Sequence, residues 1–136
     1  MPIAQHHGSC HCKAVTFEAP IDLSGGTVRC NCTFCAKVRN WGIRIADPKA
    51  LHITKGEADI TQYRFEPGRA VYHAFCKHCG IRLYSAGNIP QTGEFTSVSV
   101  PALDDLTPAQ LEELKIHYAN GLDNDWWHAP EHHEYL

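Results

Sequence analysis

A mainly β domain pinned by metal is what this sequence predicts. Three features predict it. Short alternating segments broken by turn residues run along most of the chain, one segment alone carries helix-capping chemistry, and the 7 cysteines fall into tight clusters.

The elements follow in order. Residues 13–18 alternate and carry Val15, Thr16 and Phe17, which predicts a strand. A second strand, 27–30, starts after Gly25 and Gly26, and residues 33–38 read as a helical turn. Strands at 42–45 and 51–54 are separated by Asp47 and Pro48. Residues 59–65 alternate and stop before Pro67 and Gly68, a turn signal. Segments 71–75 and 81–84 flank the last cysteine pair like a hairpin, and 95–100 alternates again. The one short helix is 108–114, where Thr107 can cap and Pro108 suits the first helical position. The stretch 123–136 holds Trp126, Trp127, His128, His132 and His133 with no clear period; a docked tail over the sheet is expected, with a metal or aromatic cluster as the other reading.

No internal repeat, low-complexity tract or long linker interrupts the 136 residues, so a single domain over 1–136 is expected. Hydrophobic residues at 43% and charged residues at 20% exclude a disordered chain. The longest apolar stretch, 43–46, is broken by Arg44, so no membrane partner is expected. Residues 1–9 lack the basic-then-apolar pattern of a secretory signal, and a cytoplasmic location is expected. Net charge is −3. Seven metal-bound thiolates would take it to about −6, which argues against a nucleic-acid partner. An odd cysteine count and a CxC pair poorly placed to bridge itself argue for metal rather than disulfides.

The cysteines divide by spacing. Cys76 and Cys79 form a CxxC half-site, and Gly80 directly after it permits the positive-φ turn of a zinc knuckle. Cys10 and Cys12, two apart on an extended segment, present both sulfurs on one face and can complete a closed tetrahedron. Cys30, Cys32 and Cys35 remain, with no fourth cysteine for them. Three protein ligands and an open corner are the pattern of a catalytic or substrate-binding zinc, for which an outside thiol is the natural fourth ligand. Two alternatives stand at this point. One of the 10 histidines could close the second site and make it structural, or Cys10 and Cys12 could join the middle cluster instead.

Other residues carry weaker signals. His11 and His78 lie between ligand positions and are expected to face solvent, while His73 is expected on a strand surface. Trp41 either walls the open site or packs in the core. Lys37 and Arg39 flank the open cluster and either attract a carboxylate or form a solvated turn.

At these residues the sequence resembles the glutathione-dependent formaldehyde-activating enzyme family, in the branch typified by centromere protein V. The matching stretches are GSCHCKAVTFEA at 8–19, VRCNCTFCAKVRNWG at 28–42, LHITKGEADITQYRF at 51–65, FCKHCGIRLY at 75–84 and VSVPALDD at 98–105. The resemblance covers about residues 8–127 and leaves 128–136 as a tail. It implies a twisted β-tent fold pinned by zinc, with Cys10, Cys12, Cys76 and Cys79 on a structural ion. Cys30, Cys32 and Cys35 would form the catalytic site for glutathione and a small aldehyde, with carbon–sulfur lyase activity. Lys37 and Trp41 are the residues expected to contact the thiol. Two zinc sites per chain are implied, the three-cysteine one labile. The alternative is a zinc protein that binds or carries glutathione or another thiol without turnover. A purely structural scaffold would need a closed second site. Two departures are visible: Lys13 stands where the family has glycine after CxC, and the basic, Pro-rich extension of centromere protein V is absent, so no cytoskeletal or chromatin role is expected.

Overall fold

The chain reverses direction right after its first cysteine pair, and that turn sets up a small sheet against a large one. The computed structural model describes residues 3–136. The small sheet contains β1 (Ala4–Ser9), β2 (Thr16–Ile21) and β5 (His52–Lys55), antiparallel in the order β1-β2-β5. The large sheet contains β3 (Thr27–Cys30), β4 (Gly42–Arg44), β6 (Ile60–Tyr63), β7 (Tyr72–Cys76), β8 (Arg82–Ile89), β9 (Gly93–Ser99) and β10 (Ile116–Ala119). Its order is β10-β3-β4-β9-β8-β7-β6, antiparallel throughout except for the parallel pair β10–β3. Two short helices, α1 (Thr33–Val38) and α2 (Pro108–Glu113), complete the regular elements with a few 3-10 turns. The protein is therefore mainly β, as its alternating segments predict. None of the described helices is long and apolar enough to cross a membrane.

Period-two patterning explains the core. In β2, Phe17, Ala19 and Ile21 are buried while Thr16, Glu18 and Pro20 are only partly covered. They join Ile43, Leu83 and Val98 of the large sheet in one apolar cluster, so the core is shared between the two sheets. Full burial of a side chain such as Phe17 contributes ~1.5–3 kcal/mol. Pro20 is tolerated in the central strand because β5 pairs only with Thr16, Phe17 and Glu18, leaving no ladder bond for Pro20 to donate on that side. α2 starts with a full capping box: Thr107 accepts the Gln110 N–H at 3.1 Å, and the Gln110 side chain accepts the Thr107 N–H at 2.8 Å.

The structure shifts some predicted elements. The strand expected over 13–18 runs instead over Thr16–Ile21, because residues 10–15 close a tight loop. Cys10 N–H donates to the Val15 carbonyl at 3.1 Å and Lys13 N–H to the Cys10 carbonyl at 3.2 Å. Lys13 takes φ 66°, the left-handed conformation that glycine adopts most readily, so the loop keeps its shape at a strain cost of ~1 kcal/mol. The residues read as a helical turn form α1, a second short helix beside the one expected at 108–114. Strands β1 and β10 were not predicted. Neither AQHHGS nor IHYA alternates clearly, and each is held by its neighbour, β1 by β2 over six residue pairs and β10 by β3 over four.

Candidate metal centres

The first cysteine group joins the two sheets. Cys10 and Cys12 lie in the turn between β1 and β2, Cys76 ends β7, and Cys79 lies in the connection to β8. Gly80 adopts φ 76° and donates its N–H to the Cys76 carbonyl at 2.9 Å, which turns the Cys79 sulfur back toward Cys76. All four sulfurs lie within 4.8 Å of one another. The Cys10–Cys12 and Cys12–Cys76 sulfur distances are both 3.7 Å. A disulfide needs about 2.05 Å. A tetrahedron of thiolates around zinc, with bonds of about 2.3 Å, has edges of about 3.8 Å, so the donor set fits that ion. Backbone N–H groups point at the sulfurs, Val15 to Cys10 at 3.3 Å and His78 to Cys76 at 3.4 Å. The backbone N–H groups of Cys12 and Ile81 pull the Cys79 thiol down to about 6.

The second group is built on the β3–α1 junction. Cys30 ends β3, Cys32 is the N-cap of α1, and Cys35 lies in the first turn of that helix. Cys32 N–H donates to the Cys30 sulfur and Cys35 N–H to the Cys32 sulfur, each at 3.3 Å. The three sulfurs lie within 4.8 Å of one another, and among the described residues no His, Asp or Glu ligand atom joins them. Cys10 and Cys12 group with Cys76 and Cys79, not with this cluster. The trio shares negative charge unevenly. Donation from Cys30 and Cys35 holds the Cys32 thiol far below its usual range, while the bonds of Cys35 to Cys30 and then to Cys32 push the Cys35 thiol up. Three convergent sulfurs with this charge pattern suit a thiophilic divalent ion.

Several residues around the trio carry no sequence signal. Asn31, between two of the cysteines, is buried and ties the site to the far edge of the sheet. Its N–H donates to the Ala119 carbonyl at 3.2 Å, its amide to Asn120 Oδ1 at 3.0 Å, and its Oδ1 accepts the Leu122 N–H at 3.0 Å. This follows from the register, which puts Ala119 of β10 opposite Cys30 of β3. Gly121 therefore passes directly over the sulfurs, so that a Cβ there would sit 2.7 Å from Cys30 Sγ and 3.0 Å from Trp126 Cη2. On the other side, Phe34 of α1 stacks on His73 at 4.1 Å between ring centres and touches Phe65 at 5.3 Å. The Arg82 guanidinium lies 4.7 Å from the Phe34 ring centre.

His73 is thus not the strand-surface residue expected. It is half-buried, hydrogen-bonded to Ser85 Oγ at 2.6 Å, and held neutral because burial and then the Arg82 charge pull it down to about 4. His11 and His78 are exposed, and His78 Nε2 meets Asp59 at 2.9 Å. Trp41 is partly buried against the core, donates Nε1–H to Thr27 Oγ1 at 2.8 Å and carries Arg29 over its ring at 4.7 Å. It also lines a cleft of about 380 Å³ with Asn40, Ile81 and Arg82. Lys37 is exposed in the last turn of α1. Arg39, the left-handed C-cap of that helix, donates to the Tyr135 carbonyl at 3.1 Å, so the end of the chain docks on α1. Leu136 is buried, and Tyr118 and His133 rings meet at 4.4 Å. Among the described residues the tail histidines form no metal group.

Comparison with known proteins places this geometry. A family model described as glutathione-dependent formaldehyde-activating enzyme matches residues 5–120. The crystal structure of a Rhodobacter sphaeroides protein, a structural-genomics target, is similar with a TM-score of 0.67 and 28% identity, covering 82% of this chain and 99% of that one.

Proposed function

The chain belongs to the glutathione-dependent formaldehyde-activating enzyme family, and from that premise we propose that it is a zinc-dependent carbon–sulfur lyase-type enzyme. It adds a thiol such as glutathione to a small aldehyde, and in reverse cleaves the adduct. The observation that carries this reading is the convergence of Cys30, Cys32 and Cys35 with no fourth protein ligand among the described residues. Cys10, Cys12, Cys76 and Cys79 hold a structural zinc, and the trio holds the catalytic one, two per chain. A zinc ion there supplies Lewis acidity that keeps a thiol ligand deprotonated at neutral pH.

The chain's own residues hold and orient. The backbone donors of Cys32 and Cys35 keep the trio convergent. Gly121 closes over the Cys30 and Cys32 side of it, and Phe34, in the α1 turn that holds Cys35, is fixed by stacking on His73. In this reading Lys37, exposed in the last turn of α1, meets a carboxylate of the incoming thiol, and Trp41, which lines a cleft with Asn40 and Arg82, contacts it as well. In the addition, the thiolate sulfur forms a bond to the carbonyl carbon. The carbon–oxygen π pair moves to oxygen, which takes a proton from water. Residues 1–136 act as one domain, in the cytoplasm, on a small-molecule thiol and aldehyde, with no nucleic-acid or membrane partner.

The test is the rate of S-hydroxymethylglutathione formation from formaldehyde and glutathione. The zinc-loaded chain should exceed the buffer rate, and Cys32→Ser should fall to it. A Cys32→Ser variant at full rate would contradict the reading. Thiol binding by calorimetry without rate acceleration would select a carrier instead, which the same open trio also permits.

A further inference from the structure

Arg82 presents a charge that its surroundings do not answer. The residue begins β8, three positions after Cys79, and its guanidinium lies over Phe34, the residue directly before Cys35 in sequence. Nη2 donates to Asn40 Oδ1 at 3.3 Å and to Ser85 Oγ at 3.2 Å. Nε and Nη1 are buried and have no hydrogen-bond partner. Neither neighbour is an anion: Asn40 and Ser85 are neutral acceptors, and His73 on the far side of Ser85 is itself a neutral ring held by the same hydroxyl. Burial pulls the Arg82 pKa down, and the neighbouring Cys35 sulfur acts in the opposite sense.

Arg82 is partly buried, and its two nitrogens shut off from water without an acceptor cost free energy that a nearby anion would offset. The trio supplies what is missing. Three thiolates on a divalent ion carry a net charge of −1, and an outside thiolate at the fourth corner makes it −2. The outside thiolate is the step that adds negative charge, and it would do so on the cluster that flanks Phe34, whose ring carries the Arg82 guanidinium.

We propose that Arg82 is the built-in counter-ion of the Cys30/Cys32/Cys35 centre, retaining metal there by balancing the charge of its thiolates. This rests on the reading of the trio as a metal site but not on the aldehyde chemistry. Arg82 touches no reacting atom in this role; it acts through the sulfurs. It has no such part at the four-cysteine site, where Cys12 is an exposed residue.

The experiment follows zinc release from the zinc-loaded full chain into a chromogenic chelator. A Cys32→Ser background identifies the metal that belongs to the four-cysteine site. Arg82→Gln should release the trio's zinc about ten- to a hundredfold faster than the parent. Arg82→Lys, which keeps the charge, should stay close to the parent, and the four-cysteine metal should leave at its parental rate in both. Asn40→Asp is a second variant of the same shape. It gives the guanidinium a competing carboxylate at the position of its present acceptor, and it too should speed release from the trio. Parental release from the trio in Arg82→Gln or in a folded Asn40→Asp overturns the proposal, as does equal acceleration at both sites. A parent chain that loads only one zinc removes the metal reading beneath it as well, and that result is distinct from two zinc ions with unchanged release.

Discussion

Replacing Gly121 by alanine adds one methyl group at the most crowded point above the trio. The new carbon would lie 2.7 Å from Cys30 Sγ, 2.9 Å from Cys32 Cβ and 3.0 Å from Trp126 Cη2. Ordinary contacts between such atoms are about 3.5–4.0 Å, so the methyl intrudes by nearly an ångström on two residues of the trio at once. Gly121 does not occupy the left-handed region, so the backbone itself accepts alanine and the effect is one of contact alone. The neighbours can yield little. Cys30 is buried at the end of β3, and Asn31 is locked by three hydrogen bonds. Overpacking of this kind costs ~1–3 kcal/mol. Borne by the trio, that weakens its metal affinity by about 5- to 150-fold, since each 1.4 kcal/mol is about tenfold. Competition with a calibrated zinc chelator measures the affinity, and thermal unfolding of loaded and stripped protein locates the cost. None of the atoms crowding a Gly121 Cβ belongs to the four-cysteine site, which should keep its affinity. Trio affinity within about twofold of the parent, together with an unchanged unfolding midpoint, would refute the packing argument.

Three further outcomes are expected. Thr107→Ala removes the acceptor of the Gln110 N–H, which should cost about 1 kcal/mol and lower the unfolding midpoint by about 3–5 °C in calorimetry. Asp105 is partly buried, which alone would raise its pKa, but the His7 backbone N–H at 2.9 Å and the His6 ring at 3.2 Å hold it below the ordinary 3.8. Its contribution is therefore present above that pH and fades as pH falls through the folded value, so the melting midpoints of the parent and Asp105→Asn should differ near neutrality and converge in acid. Mild chelation of the loaded chain should remove the trio's metal first, giving a count between one and two by elemental analysis; a stable count of two would contradict the open corner.

Short-range chemistry was what could be read in advance. A CxC, a CxCxxC and a CxxC followed by glycine are local patterns, and local spacing constrains which sulfurs can turn toward one another. Gly80 does adopt the positive φ that its place after Cys79 suggested. Thr107 and Pro108 similarly announce α2 within four residues. What could not be read depends on strands meeting across the chain. Gly121 comes over Cys30 only because β10 pairs parallel with β3, and nothing in IHYA states that partner. Phe34, His73 and Arg82 meet from α1, β7 and β8 for the same reason. His73 was misread because an alternating strand says which residues share a face, but not that a helix from another part of the chain will cover it. Lys13 shows the limit of residue preference: the loop between the first two strands imposes a left-handed backbone on a residue that does not favour it.

The riveting of two sheets by the four-cysteine group has a consequence for the order of events during synthesis. Cys12 and Cys76 are 64 positions apart. At about 5–20 residues per second, roughly 3–13 s pass between the making of the first pair and the making of its partners. Cys30, Cys32 and Cys35, by contrast, are all made within six residues of one another. On the ribosome, the trio has its full ligand set well before the four-cysteine rivet does, so the centre proposed for chemistry is the first that a nascent chain can offer to metal.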